Sequence, residues 1–192
     1  SLNFAVPSRR ISQLKIGQLQ TFANVSKETK QNKRAIAERL YSKGLQFLSN
    51  DEFAKALPYF NEAVKSDPNY AEAWYQVGYC YGILGMHSEA LKATINAAKL
   101  RPDWIETHIN IGASSFALNR FDDAVEAYKK AAKLDSTRGD LQYAIGISFN
   151  RLGKTGEEIL AYRRAISLKP DLVPAIENLG VAYFKEKRYK EA

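Results

Sequence analysis

Residues 71–104 read AEAWYQVGYCYGILGMHSEALKATINAAKLRPDW, and this stretch decides the fold. Small residues stand at Gly78, Ala90 and Ala97, and Pro102 follows them. The glycine then recurs every 34 residues along the chain, at positions 44, 78, 112, 146 and 180. A fixed period of this length predicts an array of repeated structural units rather than an ordinary globular domain.

The chain divides into units of equal length when each recurring glycine is placed at position 8. There are four complete units, 37–70, 71–104, 105–138 and 139–172, and a partial fifth unit, 173–192. Positions 4, 8 and 11 share one face of a first helix, and positions 20, 24 and 27 share one face of a second helix. Small residues at positions 8 and 20 allow two antiparallel helices to approach closely, while larger residues at 11 and 24 fill the space beside them.

This pattern resembles the tetratricopeptide repeat family. The second unit is the closest match, with Trp74-x-x-Val77-Gly78-x-x-Tyr81 followed by small residues and proline. The resemblance covers residues 37–192 and implies an all-α fold: a right-handed superhelix of four full repeats and a truncated fifth. In this family the first helices line a concave groove, and positions 2, 5, 6, 9 and often 12 or 13 face the ligand.

The resemblance therefore implies a scaffold that binds a protein or peptide segment in the concave groove. Tyrosine offers a large contact area at low entropy cost, and amide side chains can bond a peptide backbone in both directions. Partial burial of the tyrosines as packing residues is an open alternative. Acids at position 2 also have a second explanation, because a carboxylate in a first turn stabilises the helix without a ligand. The expected groove residues are Tyr41, Tyr75, Gln76, Tyr79, Asn110, Tyr143 and Asn178.

Catalysis within this chain is not indicated by any motif. The single cysteine, Cys80, excludes an internal disulfide framework and argues against a cysteine-based metal site. His108 occupies a packing position and His87 falls in a turn. No phosphate loop, nucleophile elbow or zinc-binding pair of histidines occurs, so we expect no catalytic residues, no metal and no cofactor. No apolar run reaches the roughly 18 residues of a membrane helix.

The basic charge is concentrated in residues 1–36. This segment carries seven basic residues and one acid, which accounts for nearly all of the net charge of +7. A solvated leader or linker explains this charge, and the alternative is contact with nucleic acid or acidic lipid. Because no aromatic residue interleaves with the basic cluster at 27–34, the sequence argues against nucleic acid as the main ligand.

The first residues alternate as a short strand and resemble a different family. Leu2-Asn3-Phe4-Ala5-Val6-Pro7 is similar to the closing strand of a bacterial trypsin-like serine protease of the high-temperature-requirement type. There a short helix follows, which Ser8 would cap. The alternative function is therefore an accessory C-terminal module of such a protease, whose catalytic domain is missing from this chain. That alternative implies an extracytoplasmic bacterial location; otherwise the cytoplasm is expected.

The fifth unit stops at Ala192, inside its second helix. We therefore expect Leu179 and Tyr183 to lose cover, and end-to-end self-association at this unit becomes a candidate interaction. In the fourth unit Glu158 replaces the small residue of position 20. The second helix there is expected to pack less closely or to start later.

Overall fold

The computed structural model describes residues 8–186 and shows an all-α superhelix of repeats. Within that range the chain forms nine helices and no strand. The helices are α1 (Ser8–Leu48), α2 (Phe53–Ser66), α3 (Ala71–Ile83), α4 (His87–Leu100), α5 (Ile105–Ala117), α6 (Phe121–Leu134), α7 (Gly139–Arg151), α8 (Thr155–Leu168) and α9 (Val173–Lys185).

Helix α1 differs from the expected leader. The sequence predicted a short helix after Ser8, then a linker, and a new helix from residue 37. The structure instead has one unbroken helix of 41 residues that passes through this boundary. Residues 8–36 contain no proline and only one glycine, Gly17, so nothing in the chain stops the helix. The strand predicted at residues 2–7 lies outside the described residues, and the division at residue 36 stays a prediction.

The helices pair in chain order. The most extensive contacts join α1 with α2, α3 with α4, α5 with α6 and α7 with α8, and each pair then packs on the next. The first helices of neighbouring units also touch, as α3 does α5. The arrangement is the stacked helix-pair architecture that the 34-residue period predicts.

A repeated turn connects the two helices of each complete unit. Position 15 has a positive φ in all four: 57° at Asp51, 75° at Gly85, 59° at Asn119 and 70° at Gly153. Glycine, asparagine and aspartate are the residues that adopt this left-handed conformation at least cost. The next backbone N–H then bonds back to the carbonyl of position 11, as from Met86 to Tyr81 at 2.9 Å. This bond closes the first helix and sets the angle at which the second begins.

The glycine of position 8 lies directly against the side chain of position 24. An ideal Cβ built on Gly44 would stand 2.6 Å from the Phe60 ring, and one on Gly112 would stand 2.6 Å from the Tyr128 ring. Gly146 meets Tyr162 in the same way. The rings are buried, so they have no room to move aside. The close approach predicted from the small residues is confirmed, and each ring packs flat against a bare backbone.

The expected loosening of the fourth unit did not occur. Helix α8 starts at Thr155, the same position at which α2, α4 and α6 start in their units. Glu158 is only 1% exposed. Its carboxylate accepts a hydrogen bond from Asn150 Nδ2 at 2.5 Å and lies 3.8 Å from Lys185 Nζ. Since these groups satisfy the buried charge, the helix keeps its register despite the larger side chain.

The fifth unit also differs from expectation. Tyr183 is buried, at 5% exposure, where it packs with Ile159 and Ala182. The prediction that Tyr183 loses cover is therefore wrong, because the tyrosine turns toward α8. The apolar residues that α9 does expose include Val173, Ile176 and Val181.

We predict that Gly112→Ala destabilises the array, because the new methyl group would collide with the buried Tyr128 ring. Overpacking of this kind lowers the free energy of unfolding by about 1–3 kcal/mol. Gly82→Ala is the matched control: its Cβ would meet only the Ala90 methyl, at 4.0 Å. An alanine in a helix interior then stabilises by about 0.5–1 kcal/mol. Urea unfolding followed by circular dichroism measures both, and equal effects would contradict the packing described.

Candidate functional site

The first cluster of the groove is formed by two tyrosines of α3, the residue that precedes α5 and the first residue of α2. The Tyr75 ring stacks on Trp104 with centroids 4.6 Å apart and lies parallel to the Tyr79 ring at 6.4 Å. Phe53 meets the edge of Tyr79 at 6.0 Å. All four rings are half-buried, so each keeps part of its surface open. The cluster is an aromatic surface of the type that contacts peptides at low entropy cost.

A pocket of about 230 Å³ opens beside this cluster, between α3 and α5. It exists because the residues that line it are small: Gly82 and Ala113 leave a gap between the two first helices. The lining residues are Gly78, Tyr79, Gly82, Ile83, His87, Asn110, Ala113 and Ser114.

Asn110 lies in the wall of this pocket with an unused donor. Its Nδ2 is buried and makes no hydrogen bond of acceptable geometry to any described residue. Burial raises the pKa of the neighbouring Tyr75 hydroxyl. The Asn110 amide points toward the Tyr75 hydroxyl oxygen and partly offsets that rise. A buried amide nitrogen without a partner is uncommon in a folded protein and calls for a ligand or water oxygen.

A second, equivalent cluster lies two units further on. Asn178 Nδ2 donates to the Tyr143 hydroxyl at 3.2 Å, and the Tyr143 ring packs on Tyr162 at 5.8 Å. The tyrosine is at position 5 of one unit and the asparagine at position 6 of the next, as for Tyr75 and Asn110. The repeat therefore places the same pair twice along the groove.

Two expected groove residues lie apart from these clusters. Tyr41 packs on the Tyr70 ring at 5.0 Å and on Phe60 at 5.5 Å, and so contributes to the first hydrophobic core. Gln76 is half-buried on α3. The structure thus unites Tyr75, Tyr79 and Asn110, and separately Tyr143 and Asn178.

The acidic edge at position 2 is largely neutralised. Glu72 accepts a hydrogen bond from Arg101 at 2.9 Å, and the Arg101 guanidinium also covers the Trp104 ring at 4.4 Å. Arg138 bonds Asp140 with two nitrogens and holds the pKa of that carboxyl below its usual value. The groove therefore carries little net charge along this edge and is suited to a peptide backbone more than to a strongly charged ligand.

Sequence reasoning missed Trp104 and Gly82. Both had a visible signal. Trp104 stands at position 34, where the first unit also has a large aromatic residue, Tyr70. Gly82 stands at position 12, where the other units have bulkier residues. A glycine at this position therefore indicates which unit has room for the pocket. The residues of position 12 are Leu48, Gly82, Phe116, Asn150 and Phe184.

Cys80 and His108 have reactive side-chain types, and their surroundings are structural. Burial raises the pKa of the Cys80 thiol to about 11, so this sulfur is not a thiolate at neutral pH. His108 bonds the Pro102 carbonyl through Nε2 at 2.7 Å. In the part of the chain that the structure describes, no three acidic, histidine or cysteine side chains converge as a metal site. No described helix is long and apolar enough to cross a bilayer.

Comparison with known families agrees with the repeat assignment. A tetratricopeptide repeat model matches residues 31–103 and 111–173, more than half of the chain. An uncharacterized protein of Methanocaldococcus jannaschii is 39% identical over 54 residues, which are 28% of this chain and 63% of that protein. The chain thus spans under two thirds of this curated relative. These matches indicate no catalytic family.

Solved structures share the fold. A crystal structure of MamA has a TM-score of 0.75 at 24% identity and covers 77% of this chain and 86% of its own. MamA from Desulfovibrio magneticus has a TM-score of 0.75 at 20% identity, with 80% and 87% covered. YrrB, described as a repeat protein of this type with an unusual peptide-binding site, has a TM-score of 0.74 at 21% identity, with 86% and 84% covered.

We predict that Tyr75→Ala leaves the array folded and lowers the free energy of unfolding by about 1 kcal/mol, the contribution of one aromatic pair. Tyr128→Ala is the control. Its ring is 8% exposed and packs on Gly112, so its loss should cost about 3–5 kcal/mol. Urea unfolding of the two variants separates a groove residue from a core residue. A loss at Tyr75 as large as that at Tyr128 would make Tyr75 structural.

Proposed function

Because this chain belongs to the tetratricopeptide repeat family, we propose that it is a scaffold that binds an extended protein segment in its concave groove. The observation that carries the proposal is the pocket between α3 and α5, in whose wall the buried Asn110 amide nitrogen makes no hydrogen bond of acceptable geometry to a described residue. Tyr75 and Tyr79 extend this pocket with half-exposed ring surface.

Each part of the site has a role in this proposal. The pocket, of about 230 Å³, takes one side chain of the bound segment. Asn110 Nδ2 donates to a backbone carbonyl of that segment, which satisfies the buried donor. The rings of Tyr75 and Tyr79 cover the adjoining residue, and Tyr143 with Asn178 form a second contact point further along the groove. Glu106 makes no ion pair with a described residue. Its carboxylate would therefore accept a hydrogen bond from a donor of the bound segment at the edge of the groove.

The alternative of an accessory module of a trypsin-like serine protease gains no support. The residues that carried the resemblance, 2–7, lie outside the described range, and the matched family is a repeat scaffold. Peptide binding is named for one structural neighbour, YrrB, but at 21% identity that likeness concerns the fold. The partner of this chain is therefore proposed by its chemistry alone.

We predict that random 12-residue peptides displayed on phage and selected on the full chain bind through the groove. Asn110→Ala should weaken synthetic versions of the selected peptides about five- to ten-fold, because one buried hydrogen bond is lost. Tyr79→Ala should weaken them by a factor of ten or more, as for an aromatic hot spot. Isothermal titration calorimetry measures each affinity.

The control for these variants is Lys55→Ala. Its side chain is exposed on α2, away from the pocket, and should not change the affinity. Unfolding curves of the three variants establish that each is folded. Selected peptides that bind the Asn110 and Tyr79 variants as tightly as the unchanged chain would place the ligand on another face.

A second candidate interaction is self-association through α9. This helix exposes Val173 by 56%, Ile176 by 46% and Val181 by 53%. Exposed apolar residues concentrated on one helix favour contact with another molecule. Such contact would join arrays at the fifth unit.

We predict that Val181→Asp shifts the sedimentation coefficient of the chain toward that of a monomer at high protein concentration. Ala54→Asp introduces the same charge at an exposed site on α2 and should leave the association unchanged. A monomeric unchanged chain at all concentrations would exclude association through this helix.

A further inference from the structure

The face opposite the groove, formed by the second helices α4, α6 and α8, has two open pockets. One opens between α4 and α6, with a volume of about 460 Å³, and the other between α6 and α8, with about 590 Å³. They are related by the repeat: Ile111 and Ile145 occupy position 7 in the two, and Lys130 and Arg164 occupy position 26. We call this surface the second-helix face.

The floors of the two pockets are apolar. Ile95 and Ile111 line the first pocket, and Ile145 and Phe149 line the second. Leu160 stands at the mouth of the second pocket and is 66% exposed. A leucine that stays exposed contributes little to the stability of the fold. Its burial against an apolar group of a partner would contribute to binding.

The rims are positively charged. Four of the basic side chains, Lys99, Lys130, Lys133 and Arg164, make no ion pair with any described residue. Of the acids, Asp123 is neutralised by Arg120 at 2.6 Å and Glu126 lies 3.9 Å from Lys129. The basic residues lining the two pockets are Lys99, Arg120, Lys129, Lys130, Lys133 and Arg164, and the acidic ones are Asp123, Glu126 and Glu157.

The two faces therefore differ in charge balance. On the groove side the acids of position 2 are mostly paired within the protein, as Glu72 is with Arg101. On the second-helix face the unpaired charges are mainly cationic and surround apolar recesses. Unpaired cationic side chains attract an acidic partner and fix its position over the pockets.

We propose that the second-helix face is a separate binding site for an acidic protein segment whose apolar side chains enter the two pockets. The carboxylates of the segment pair with Lys99, Lys130, Lys133 and Arg164, while its apolar side chains contact Ile95 in one pocket and Leu160 in the other. The site is independent of the groove, so both can be occupied together.

The test uses a fluorescein-labelled peptide of sequence EELEELEE and the full chain at low ionic strength. In a polyproline II conformation, which has three residues per turn, the two leucines lie on the same side of the peptide roughly 9 Å apart, with glutamates on both sides. Fluorescence anisotropy should show saturable binding. The double variant Lys130→Glu with Arg164→Glu should weaken binding at least ten-fold, and Leu160→Ala, at a largely exposed position, should weaken it several-fold.

The matched control makes the same change of net charge at two exposed lysines elsewhere, Lys27→Glu with Lys43→Glu on α1. Only the general effect of net charge acts there, and it should change the affinity less than two-fold. Asn110→Ala should have no effect. Circular dichroism establishes that every variant is folded, so a loss of binding reflects the surface alone.

Four results would overturn the proposal. Equal losses in the α1 control and the second-helix variant would mean that only net charge matters. Equal affinity for EEAEEAEE would mean that the pockets are not used, and loss of binding with Asn110→Ala would place the peptide in the groove. A twelve-nucleotide poly(dT) strand that binds more tightly than the peptide, and depends on Lys130 and Arg164, would assign the face to nucleic acid.

Discussion

The contact between a bare glycine and a buried ring is the constraint on which this array depends. At position 8 the backbone of each first helix lies against the side chain of position 24, as Gly112 does against Tyr128. The distance between the two helices of a pair is therefore set by the thickness of that side chain. The second unit has Thr94 in place of a ring at position 24. The Thr94 hydroxyl donates to the Ala90 carbonyl at 2.8 Å, so the smaller side chain between these two helices has its hydrogen bond satisfied within its own helix.

Function is proposed for positions that this constraint leaves free. A residue at position 12 does not take part in the glycine–ring contact, so it can vary between units. In the second unit this residue is Gly82, and because it has no side chain a pocket opens in the groove. Positions 26 and 29 of the second helices are likewise free of the pair contact, and there the chain places Lys99, Lys130 and Lys133. The geometry that recurs from unit to unit and the surface that differs between units thus belong to different positions of the repeat.

The sequence was sufficient for the fold because a repeat presents the same evidence several times. The 34-residue period and the close helix pairs followed from spacing. What could not be predicted depended on partners distant in the chain. The burial of Glu158 depends on Asn150 and Lys185, and helix α1 continues through residue 36 because nothing interrupts it.

For the site, the family resemblance put Tyr75 and Asn110 on one predicted groove surface, because it assigns positions 5 and 6 of the first helices to that surface. It did not reveal that the Asn110 donor is unused, that Tyr41 packs in the core, or that Trp104 covers Tyr75. These details depend on side-chain orientation and on the loops between units. The main helix contacts, by contrast, join neighbours in the chain. A nascent chain leaving the ribosome can therefore complete each helix pair as soon as it emerges, since no pair has to wait for a distant segment, and local contacts of this kind are associated with fast folding.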